Sequence, residues 1–256
     1  MTQNTKITVF TDLDGTFLDH KTYDYTPALP ALRRLHSLSS QVIPTTSKTL
    51  SELNSLNLPF GQTLQIAENG MVVSDGALHH SIGKNYQEII EFITSLPSNI
   101  REHINGFNDM SIEEVISLTS LTKKNAQRAK ERLGSEPFLW SGSNEDMNEL
   151  DHLASAQGLS ITQGGRFYHL MGAKGGKADA VKSYLNGKES TISIALGDGP
   201  NDADMLAVVN YGVKIPNDEG NSFEVRNPQG EIIEAPLSGP EGWNAAINDL
   251  LDRLRF

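Results

Sequence analysis

The feature that most constrains the fold of this chain is a short apolar run near its N-terminus that ends in two carboxylates. Residues 7–11 are β-prone and mostly apolar, as is typical of a buried strand in a parallel sheet. Asp12 and Asp14 follow directly, and Gly15 can adopt the backbone conformation that a sharp turn needs. Because ligands bind beyond the carboxyl ends of strands in open α/β sheets, the two carboxylates mark a candidate functional edge. For an isolated Asp-x-Asp, a turn or a helix cap is the simpler explanation, so other parts of the chain must supply partners.

Composition narrows the classes of protein to which the chain can belong. Its 256 residues suffice for one large domain or two small ones, with a sizeable core in either case. The formal net charge of -11 argues against binding to nucleic acid or to an anionic membrane, and it favours a cation at any site that handles phosphate. The absence of cysteine excludes disulfides, thiolate zinc sites and cysteine nucleophiles. With neither a signal peptide nor an apolar run of membrane-spanning length, we expect a cytoplasmic protein with no evident obligate protein partner.

Strands and helices alternate along the first and last parts of the chain. This alternation predicts an α/β fold with a Rossmann-like, doubly wound parallel sheet. The sequence Glu68-Asn69-Gly70 is a strong turn signal, and the first arm of a hairpin follows it. The elements expected in and around the sheet are strands at 7–11, 41–45, 64–67, 191–196 and 211–215, and helices at 27–39, 50–57, 177–185, 203–208 and near the C-terminus.

The middle of the chain has a different character, because it is richer in charged helices. A basic helix is expected from about 122 to 133, with Gly134 as the residue that ends it. We interpret residues 83–167 as an α+β cap domain inserted into a core that residues 1–82 and 168–256 form.

Polar groups of complementary kinds follow three of the predicted strands. They are Asp12 with Asp14, then Thr46, then Asp198, and Lys177 begins the helix before the last of these strands. A carboxylate can serve as nucleophile and form an aspartyl-phosphate, and Mg²⁺ prefers carboxylate, phosphate and water oxygens. A hydroxyl and a lysine can hold the phosphoryl oxygens over which charge is spread in the transition state. The combination predicts phosphoryl transfer with Mg²⁺ as cofactor.

The chain resembles the phosphatases of the haloacid dehalogenase (HAD) superfamily that carry a large α/β (type IIB) cap. All four motifs are present in order: residues 12–16 (DLDGT), Thr46, Lys177 and residues 197–202 (GDGPND). The resemblance implies a HAD core with an inserted cap, Asp12 as nucleophile, and Asp14 as general acid and then base. It also implies Thr46 and Lys177 as further catalytic residues, and Asp12, Asp14 and Asp198 as ligands of Mg²⁺.

Three positions stay open at this level. Lys174 lies in the same short segment as Lys177, which fits the family pattern better because it opens an apolar-patterned helix. The hydroxyl residues on either side of Thr46 compete with it, and any of the three can instead cap a helix. Asp202 is either a further residue of the metal site or a helix N-terminal acid, and the two interpretations have equal weight.

A narrower resemblance, to the mannosyl-3-phosphoglycerate phosphatases, covers nearly the whole chain. The matching segments are residues 47–49, 110–115, 119–122, 132–138 and 162–169, together with Ala126 and Ala129. One departure is Ser120, where the family commonly has glycine. The resemblance implies a phosphoric monoester hydrolase that takes a small phosphorylated sugar-glycerate and releases phosphate and mannosylglycerate, a compatible solute.

The hairpin around Gly164-Gly165 is the part of the cap expected to recognise substrate. Its backbone N–H groups can approach an anion, and Arg166 can form a two-pronged bond with a carboxylate such as that of glycerate. From the residues alone, a surface hairpin with a solvated arginine is the favoured interpretation. The resemblance favours substrate binding instead, for Arg166 only. The substrate-binding residues expected in all are Ser47, Lys48, Gln163, Gly164, Gly165, Arg166 and His169.

Other functions compete with this one. A glucosyl-3-phosphoglycerate or a general sugar-phosphate activity needs only a different leaving group. A phosphomannomutase or a sucrose-phosphate-type phosphatase shares the core and the cap style, but segments 135–137 and 164–166 argue against both. A receiver domain, which is no enzyme, also gathers carboxylates, a hydroxyl and a lysine at a sheet edge. It needs neither an inserted cap nor a second acid such as Asp14 for proton transfer.

Overall fold

A computed structural model of the protein describes residues 6–163, 166–217 and 223–256. Within these ranges, 3₁₀ helices lie at Thr26–Ala28, Glu68–Gly70 and Pro200–Asp202. In the described ranges, no helix is long and apolar enough to cross a membrane. The strands are β1 (Lys6–Thr11), β2 (Gln41–Pro44), β3 (Gln65–Ala67), β4 (Val72–Ser74), β5 (His79–Ser81), β6 (Ile104–Gly106), β7 (Ser135–Trp140), β8 (Leu159–Gln163), β9 (Tyr168–Gly172), β10 (Thr191–Gly197), β11 (Tyr211–Lys214) and β12 (Glu231–Glu234). The α-helices are α1 (Leu29–Ser37), α2 (Leu50–Ser55), α3 (Tyr86–Ser95), α4 (Ser98–Arg101), α5 (Ile112–Thr119), α6 (Lys123–Ala129), α7 (Asn144–Ala156), α8 (Lys177–Leu185), α9 (Ala203–Ala207) and α10 (Gly239–Arg253).

The chain packs as two compact units. The first comprises the described residues up to Thr46 together with Phe60–Gln65 and Lys177–Phe256. The second comprises Ser47–Pro59 and Ile66–Gly176, so it contains the predicted cap range and is larger than it. The domain boundaries at 83 and 167 stay a prediction.

The first unit is built on a parallel sheet of five strands in the order β12-β11-β10-β1-β2. Strand β1 lies between β10 and β2, and its last residue, Thr11, is level with Leu196 and Pro44. Every residue of β1 after Lys6 is buried, which explains why the strand is mostly apolar rather than alternating between charged and apolar residues. Helices pack in pairs, α1 with α10 and α8 with α9. The predicted α/β fold is confirmed, and the carboxyl ends of β1, β2 and β10 lie side by side.

An aromatic cluster in the first unit joins α10 to the segment that follows β1. The Phe17 ring meets Trp243 edge-on with 5.2 Å between the ring centroids, and it meets Phe60 in the same way at 4.6 Å. Neither Phe17 nor Trp243 has exposed surface. The buried face of α10 continues with Ala246, Ile247, Leu250 and Leu251. This face of α10 is therefore core packing.

The second unit contains a four-stranded antiparallel sheet in the order β6-β7-β9-β8 and a three-stranded sheet in the order β3-β4-β5. Strands β8 and β9 form the predicted hairpin, in which Gln163 pairs with Tyr168. Apolar residues of α3, α4 and α7, such as Ile89, Ile100 and Leu150, pack with Phe138 and Leu170 of the large sheet. This unit therefore has a hydrophobic core of its own.

Two predicted elements differ from those observed. The segment expected as a third parallel strand forms β3 in the three-stranded sheet, because Glu68, Asn69 and Gly70 all have positive φ and turn the chain directly into the β4–β5 hairpin. The basic helix expected to run to 133 is α6, which ends at Ala129. The N–H groups of Leu133 and Gly134 donate to the carboxylate of Glu68, so they are not available to extend a helix.

The packing of Trp243 predicts a large loss of stability on truncation. Replacing Trp243 by Ala removes a fully buried indole and its contact with Phe17, which we expect to lower the free energy of unfolding by about 3–5 kcal/mol. Urea denaturation followed by circular dichroism measures this change. Asp249→Ala, at an exposed position of the same helix, is the matched control and should cost less than about 0.5 kcal/mol. A loss below about 1 kcal/mol for Trp243→Ala would contradict the assignment of this residue to the core.

Candidate active site

Three strand ends bring polar groups to one edge of the parallel sheet. Asp12 follows β1, Thr46 lies two residues beyond β2, and Asp198 follows β10. The backbone pairing of the sheet continues into these segments, because the Asp12 N–H donates to the Leu196 carbonyl at 2.9 Å. The side chains of Asp12, Thr46 and Asp198 are all buried. The sheet itself therefore fixes where the predicted residues lie.

A buried ammonium group joins two carboxylates at this edge. Lys177 is the first residue of α8, and its Nζ donates to Asp12 Oδ1 at 2.7 Å and to Asp202 Oδ1 at 2.6 Å. Burial lowers the pKa of Lys177, but the two carboxylates outweigh burial and leave the pKa above its ordinary value. Lys177 is therefore a permanent positive charge in the site. Lys174 is exposed, so the geometry favours Lys177 among the two candidate lysines.

The carboxylate of Asp202 is hydrogen-bonded on both oxygens. Oδ1 accepts from Lys177, and Oδ2 accepts from the N–H groups of Asp198 and Gly199, both at 3.1 Å. A Cβ atom at Gly197 would lie 2.4 Å from the Asp202 Cβ, so this close approach requires glycine. Asp202 is completely buried and holds the loop after β10 against Lys177. It is not a solvated acid at a helix start.

The other two acids of the site hold protons more tightly than usual. Burial is the main cause that raises the pKa of Asp12 to about 7, with Asp202 and Asp14 adding to it and Lys177 opposing it. Burial, followed by the charges of Asp12 and Asp202, raises the pKa of Asp198 to about 8. A single ammonium group therefore does not neutralise the carboxylates gathered here.

The turn after β1 contributes to the same site. Gly15 has φ of 74°, and a Cβ there would lie 2.5 Å from Asp198 Oδ2. The Thr16 hydroxyl donates to Asp198 Oδ1 at 3.1 Å, and the Asn217 amide donates to Asp198 Oδ2 at 3.1 Å. Asp14 lies in this turn and is half-buried. The carboxylate of Asp198 is thus oriented by donors from two separate segments.

A hydrogen-bonded relay connects α10 to the backbone of the candidate nucleophile. The Trp243 indole N–H donates to Thr11 Oγ1 at 3.1 Å, and the Thr11 hydroxyl donates to the Asp12 carbonyl at 2.7 Å. Both side chains have no exposed surface. The peptide group that follows Asp12 is therefore fixed from the side of α10.

The arrangement of the acids suits a divalent cation. Asp12, Asp198 and Asp202 each offer a carboxylate oxygen, and these oxygens all lie within 4.8 Å of one another. A set of carboxylate oxygens is what a hard cation prefers, and a cation would relieve the repulsion that adds to the effect of burial in raising the pKa values of Asp12 and Asp198. The carboxylate of Asp14 is not in this group among the described residues, so its role as a ligand stays a prediction.

The residues expected to bind substrate lie in the second unit. Gln163 and Arg166 are exposed at the β8–β9 hairpin, whereas His169 is buried within β9, opposite Pro137 of β7. Lys48 is buried, with 7% of its surface exposed, and Ser47 is half-buried. Gly164 and Gly165 fall outside the described residues. The roles of all seven residues stay predictions.

Sequence reasoning missed several residues that build the site. Thr16 is part of the motif DLDGT, and its hydroxyl was a usable signal. Asn217 lies three residues beyond β11, so the rule that sites follow strand ends would have found it. No local signal distinguishes Thr11 and Trp243 from ordinary core residues. Their contact joins positions 232 residues apart, which a single sequence does not reveal.

Most of the chain matches a known hydrolase family. The sequence profile of the haloacid dehalogenase-like hydrolases matches residues 9–222. The chain therefore belongs to the haloacid dehalogenase-like hydrolase family, and the predicted superfamily and enzyme class are confirmed.

One curated relative is similar over almost its full length. It is the glucosyl-3-phosphoglycerate/mannosyl-3-phosphoglycerate phosphatase of Persephonella marina, which is 35% identical over 96% of this chain and 97% of its own. Among solved structures, the HAD phosphatase BT1666 of Bacteroides thetaiotaomicron has a TM-score of 0.72 at 15% identity, covering 99% of this chain and 97% of that one. The HAD subclass IIB sugar phosphatase BT4131 has a TM-score of 0.66 at 16% identity, covering 97% and 99%. At such identities the two structures establish the fold alone.

The raised pKa values predict how stability depends on pH. The folded chain without cation binds protons at Asp12 and Asp198 more tightly than the unfolded chain, whose carboxyl groups have ordinary pKa values near 3.8. Their contribution to stability is complete below the ordinary pKa and is lost as the pH rises through about 7 and 8. We therefore expect the Tm of the cation-free protein to fall between about pH 5 and pH 9. A divalent cation needs ionised ligands, so it should raise the Tm more at about pH 8 than at about pH 6.

Differential scanning fluorimetry with EDTA or with Mg²⁺ measures both effects. Asp198→Asn is the informative control, because it removes one of the two titrating groups and one candidate ligand, and it should reduce both the pH dependence and the cation shift. A Tm that rises with pH in EDTA, or an equal cation shift at both pH values, would contradict the assignment.

Proposed function

We propose that this protein is a Mg²⁺-dependent phosphatase that hydrolyses mannosyl-3-phosphoglycerate to mannosylglycerate and phosphate through an aspartyl-phosphate on Asp12. The observation that carries the proposal is the buried group in which Lys177 holds the Asp12 carboxylate within a cluster of two further acids. Such a group keeps a nucleophilic oxygen in place, and its ammonium can donate to an oxygen of an incoming phosphate.

The proposed reaction has two steps, in which Asp12 and Asp14 divide the chemistry. In the first, an Asp12 oxygen attacks phosphorus, the bond to the leaving oxygen breaks, and the Asp14 carboxyl donates its proton to that oxygen. In the second, the Asp14 carboxylate accepts a proton from water, the water oxygen attacks phosphorus, and the bond to Asp12 breaks. Asp12 is thereby restored as a carboxylate and Asp14 as a carboxylic acid.

The remaining residues of the site hold the phosphoryl group. The Thr46 hydroxyl and the Lys177 ammonium are the donors for its oxygens, over which negative charge is spread in the transition state. Asp12, Asp14, Asp198 and Asp202 are the proposed holders of Mg²⁺, which, when bound, screens the repulsion between the anionic nucleophile and the anionic substrate. Asp202 also keeps Lys177 directed at Asp12.

The substrate assignment depends on likeness to the curated relative, whose name includes both the glucosyl and the mannosyl compound. Arg166, exposed at the β8–β9 hairpin, suits a two-pronged bond with the glycerate carboxylate. Gln163, His169, Ser47 and Lys48 complete the proposed recognition of the leaving group. The glucosyl compound is the alternative substrate at the same site, because only the orientation of a sugar hydroxyl distinguishes the two.

Release of phosphate from mannosyl-3-phosphoglycerate in the presence of Mg²⁺ tests the proposal. We expect kcat/KM of about 10⁴ M⁻¹s⁻¹ or higher for the mannosyl or the glucosyl compound, and a much lower value for a small aryl phosphate. Asp12→Asn should abolish turnover of all three while leaving the protein folded, because the amide keeps the shape of the carboxylate. Phosphate release by folded Asp12→Asn above about 1% of wild type would remove the covalent mechanism. A folded wild type active only on the aryl phosphate would remove the proposed substrate.

Arg166 supplies a separate test of specificity. Removing its guanidinium should raise KM for the sugar-glycerate substrate by about 10-fold or more, and it should leave the aryl phosphate within about 2-fold, since only the former has a carboxylate to bind. Steady-state kinetics on both substrates measures the difference. Lys124→Ala, at an exposed cationic position of the same unit, is the matched control and should change neither. Equal effects of Arg166→Ala on the two substrates would contradict its assigned role.

A further inference from the structure

A second buried ion pair lies outside the candidate active site, and its acid has an unusual backbone conformation. Glu68 has φ of 50° and no exposed surface. The left-handed conformation is unfavourable for a residue with a long side chain, and it persists only where the surroundings impose it. Asn69 and Gly70 also have positive φ, of 57° and 95°. The contacts of Glu68 must therefore impose this backbone conformation.

The carboxylate of Glu68 is surrounded by donors from one segment of the second unit. It accepts from the N–H groups of Leu133 at 2.8 Å and Gly134 at 3.0 Å, and from the Ser135 hydroxyl at 2.9 Å. Its Oε2 also lies 3.4 Å from the Nε of Arg132. Four successive residues, 132–135, thus converge on one carboxylate. Neither glycine nor asparagine, which suit the backbone conformation better, could replace these contacts.

Arg132 also binds a part of the chain that is distant in sequence, the segment at Ser47. Its guanidinium is almost completely buried, and it donates to the Ser135 carbonyl from Nε and to the Ser47 carbonyl from one terminal nitrogen, both at 3.2 Å. The backbone N–H of Glu68 donates to the Lys48 carbonyl at 2.9 Å. The two members of the ion pair therefore hold two successive carbonyl groups, those of Ser47 and Lys48.

Thr49, the residue after Lys48, is also held by hydrogen bonds within the second unit. The Thr49 hydroxyl donates to the Arg128 carbonyl at 2.9 Å, and Thr49 forms a capping box with Glu52 at the start of α2. The backbone from Ser47 to Thr49 is thus fixed at three consecutive residues by the second unit itself. A buried ion pair is weak as a source of stability, because desolvation offsets the attraction between the charges. The role of the Glu68–Arg132 ion pair in fixing the backbone of Ser47 and Lys48 explains its presence better than a gain in stability does.

We infer that Glu68 and Arg132 are positioning residues that set the backbone of Ser47 and Lys48, and through it the placement of the Lys48 side chain toward substrate. The inference rests on the proposed function, in which Ser47 and Lys48 bind the sugar-glycerate phosphate. It assigns to the ion pair a role in substrate affinity and none in the chemical step.

Two substitutions test the inference from the two sides of the pair. Glu68→Gln keeps the shape but loses the charge and one acceptor oxygen, and Arg132→Lys keeps the charge but loses the fork that reaches Ser47 and Ser135 together. We expect each to raise KM for the sugar-glycerate phosphate by about 5-fold or more with kcat within about 3-fold of wild type. Should Glu68→Gln fail to fold, Arg132→Lys carries the same expectation. A fall in kcat with unchanged KM, or wild-type kinetics in folded variants, would overturn the inference.

The neighbouring residue Glu136 provides a matched control. It is also completely buried, and its carboxylate accepts from the Tyr86 hydroxyl at 2.8 Å and from the Asn108 N–H at 2.7 Å. Burial is the main cause that raises its pKa. Glu136→Gln therefore disturbs a buried carboxylate of the same unit without touching Ser47 or Lys48. It should lower the Tm while leaving KM within about 2-fold of wild type, and a KM increase equal to that of Glu68→Gln would overturn the inference by showing a general effect of destabilisation.

A double-mutant cycle with Lys48→Met separates the inference from the proposed function. If Glu68 acts through Lys48, Glu68→Gln should add less than about 2-fold to KM in the Lys48→Met background, and full additivity would overturn the inference. Wild-type activity on the sugar-glycerate phosphate decides the proposed function independently. If the wild type lacks that activity, the same cycle is judged on the phosphate monoester that it hydrolyses best.

Discussion

The interaction on which the candidate site depends is the pair of hydrogen bonds from the Lys177 ammonium to Asp12 and Asp202. Three acids whose oxygens lie within 4.8 Å of one another would repel strongly in a buried place, and the lysine is the cation that the described residues supply there. Its helix begins with the lysine itself, so the position of α8 against the sheet decides where the charge lies. The lysine does not fully offset burial and the mutual repulsion of the acids, so the pKa values of Asp12 and Asp198 stay raised, and a further cation would favour their ionised forms.

The buried ion pairs of the two units have different roles. In the first, Lys177 lies among carboxylates at the edge of a parallel sheet and holds a group that is proposed to react. In the second, Arg132 and Glu68 are surrounded by backbone N–H and carbonyl groups, so their charges serve to arrange the chain. The difference lies in the partners rather than in the burial. A charge that faces other ionisable side chains can change its protonation state, whereas one that faces backbone groups mainly fixes geometry.

Much of the fold and the centre of the site were predictable because their signals are local. Asp12, Thr46 and Asp198 each follow a short apolar run, and Lys177 opens an amphipathic helix, so strand ends and a helix start were sufficient to predict them.

Predictions were wrong where distant partners decide the structure. The predicted third strand is diverted by the turn at Glu68, and α6 stops early because a carboxylate about 65 residues away takes the amides of Leu133 and Gly134. Strand β12 was missed because Glu231–Glu234 has only two apolar residues, and its assignment depends on parallel pairing with β11.

Because β1 pairs with β10, the sheet of the first unit is complete only after both strands have been synthesised. Strand β1 emerges from the ribosome well before its partner β10 and before the indole of Trp243, which lies 232 residues after Thr11. At typical translation rates of about 5–20 residues per second, β1 lacks these neighbours for on the order of ten to fifty seconds. During that interval a β-prone apolar segment has an unpaired edge, which is a hazard for aggregation and an opportunity for chaperones. The second unit, whose sheet strands lie close together in sequence, can complete its own core while the first is still waiting.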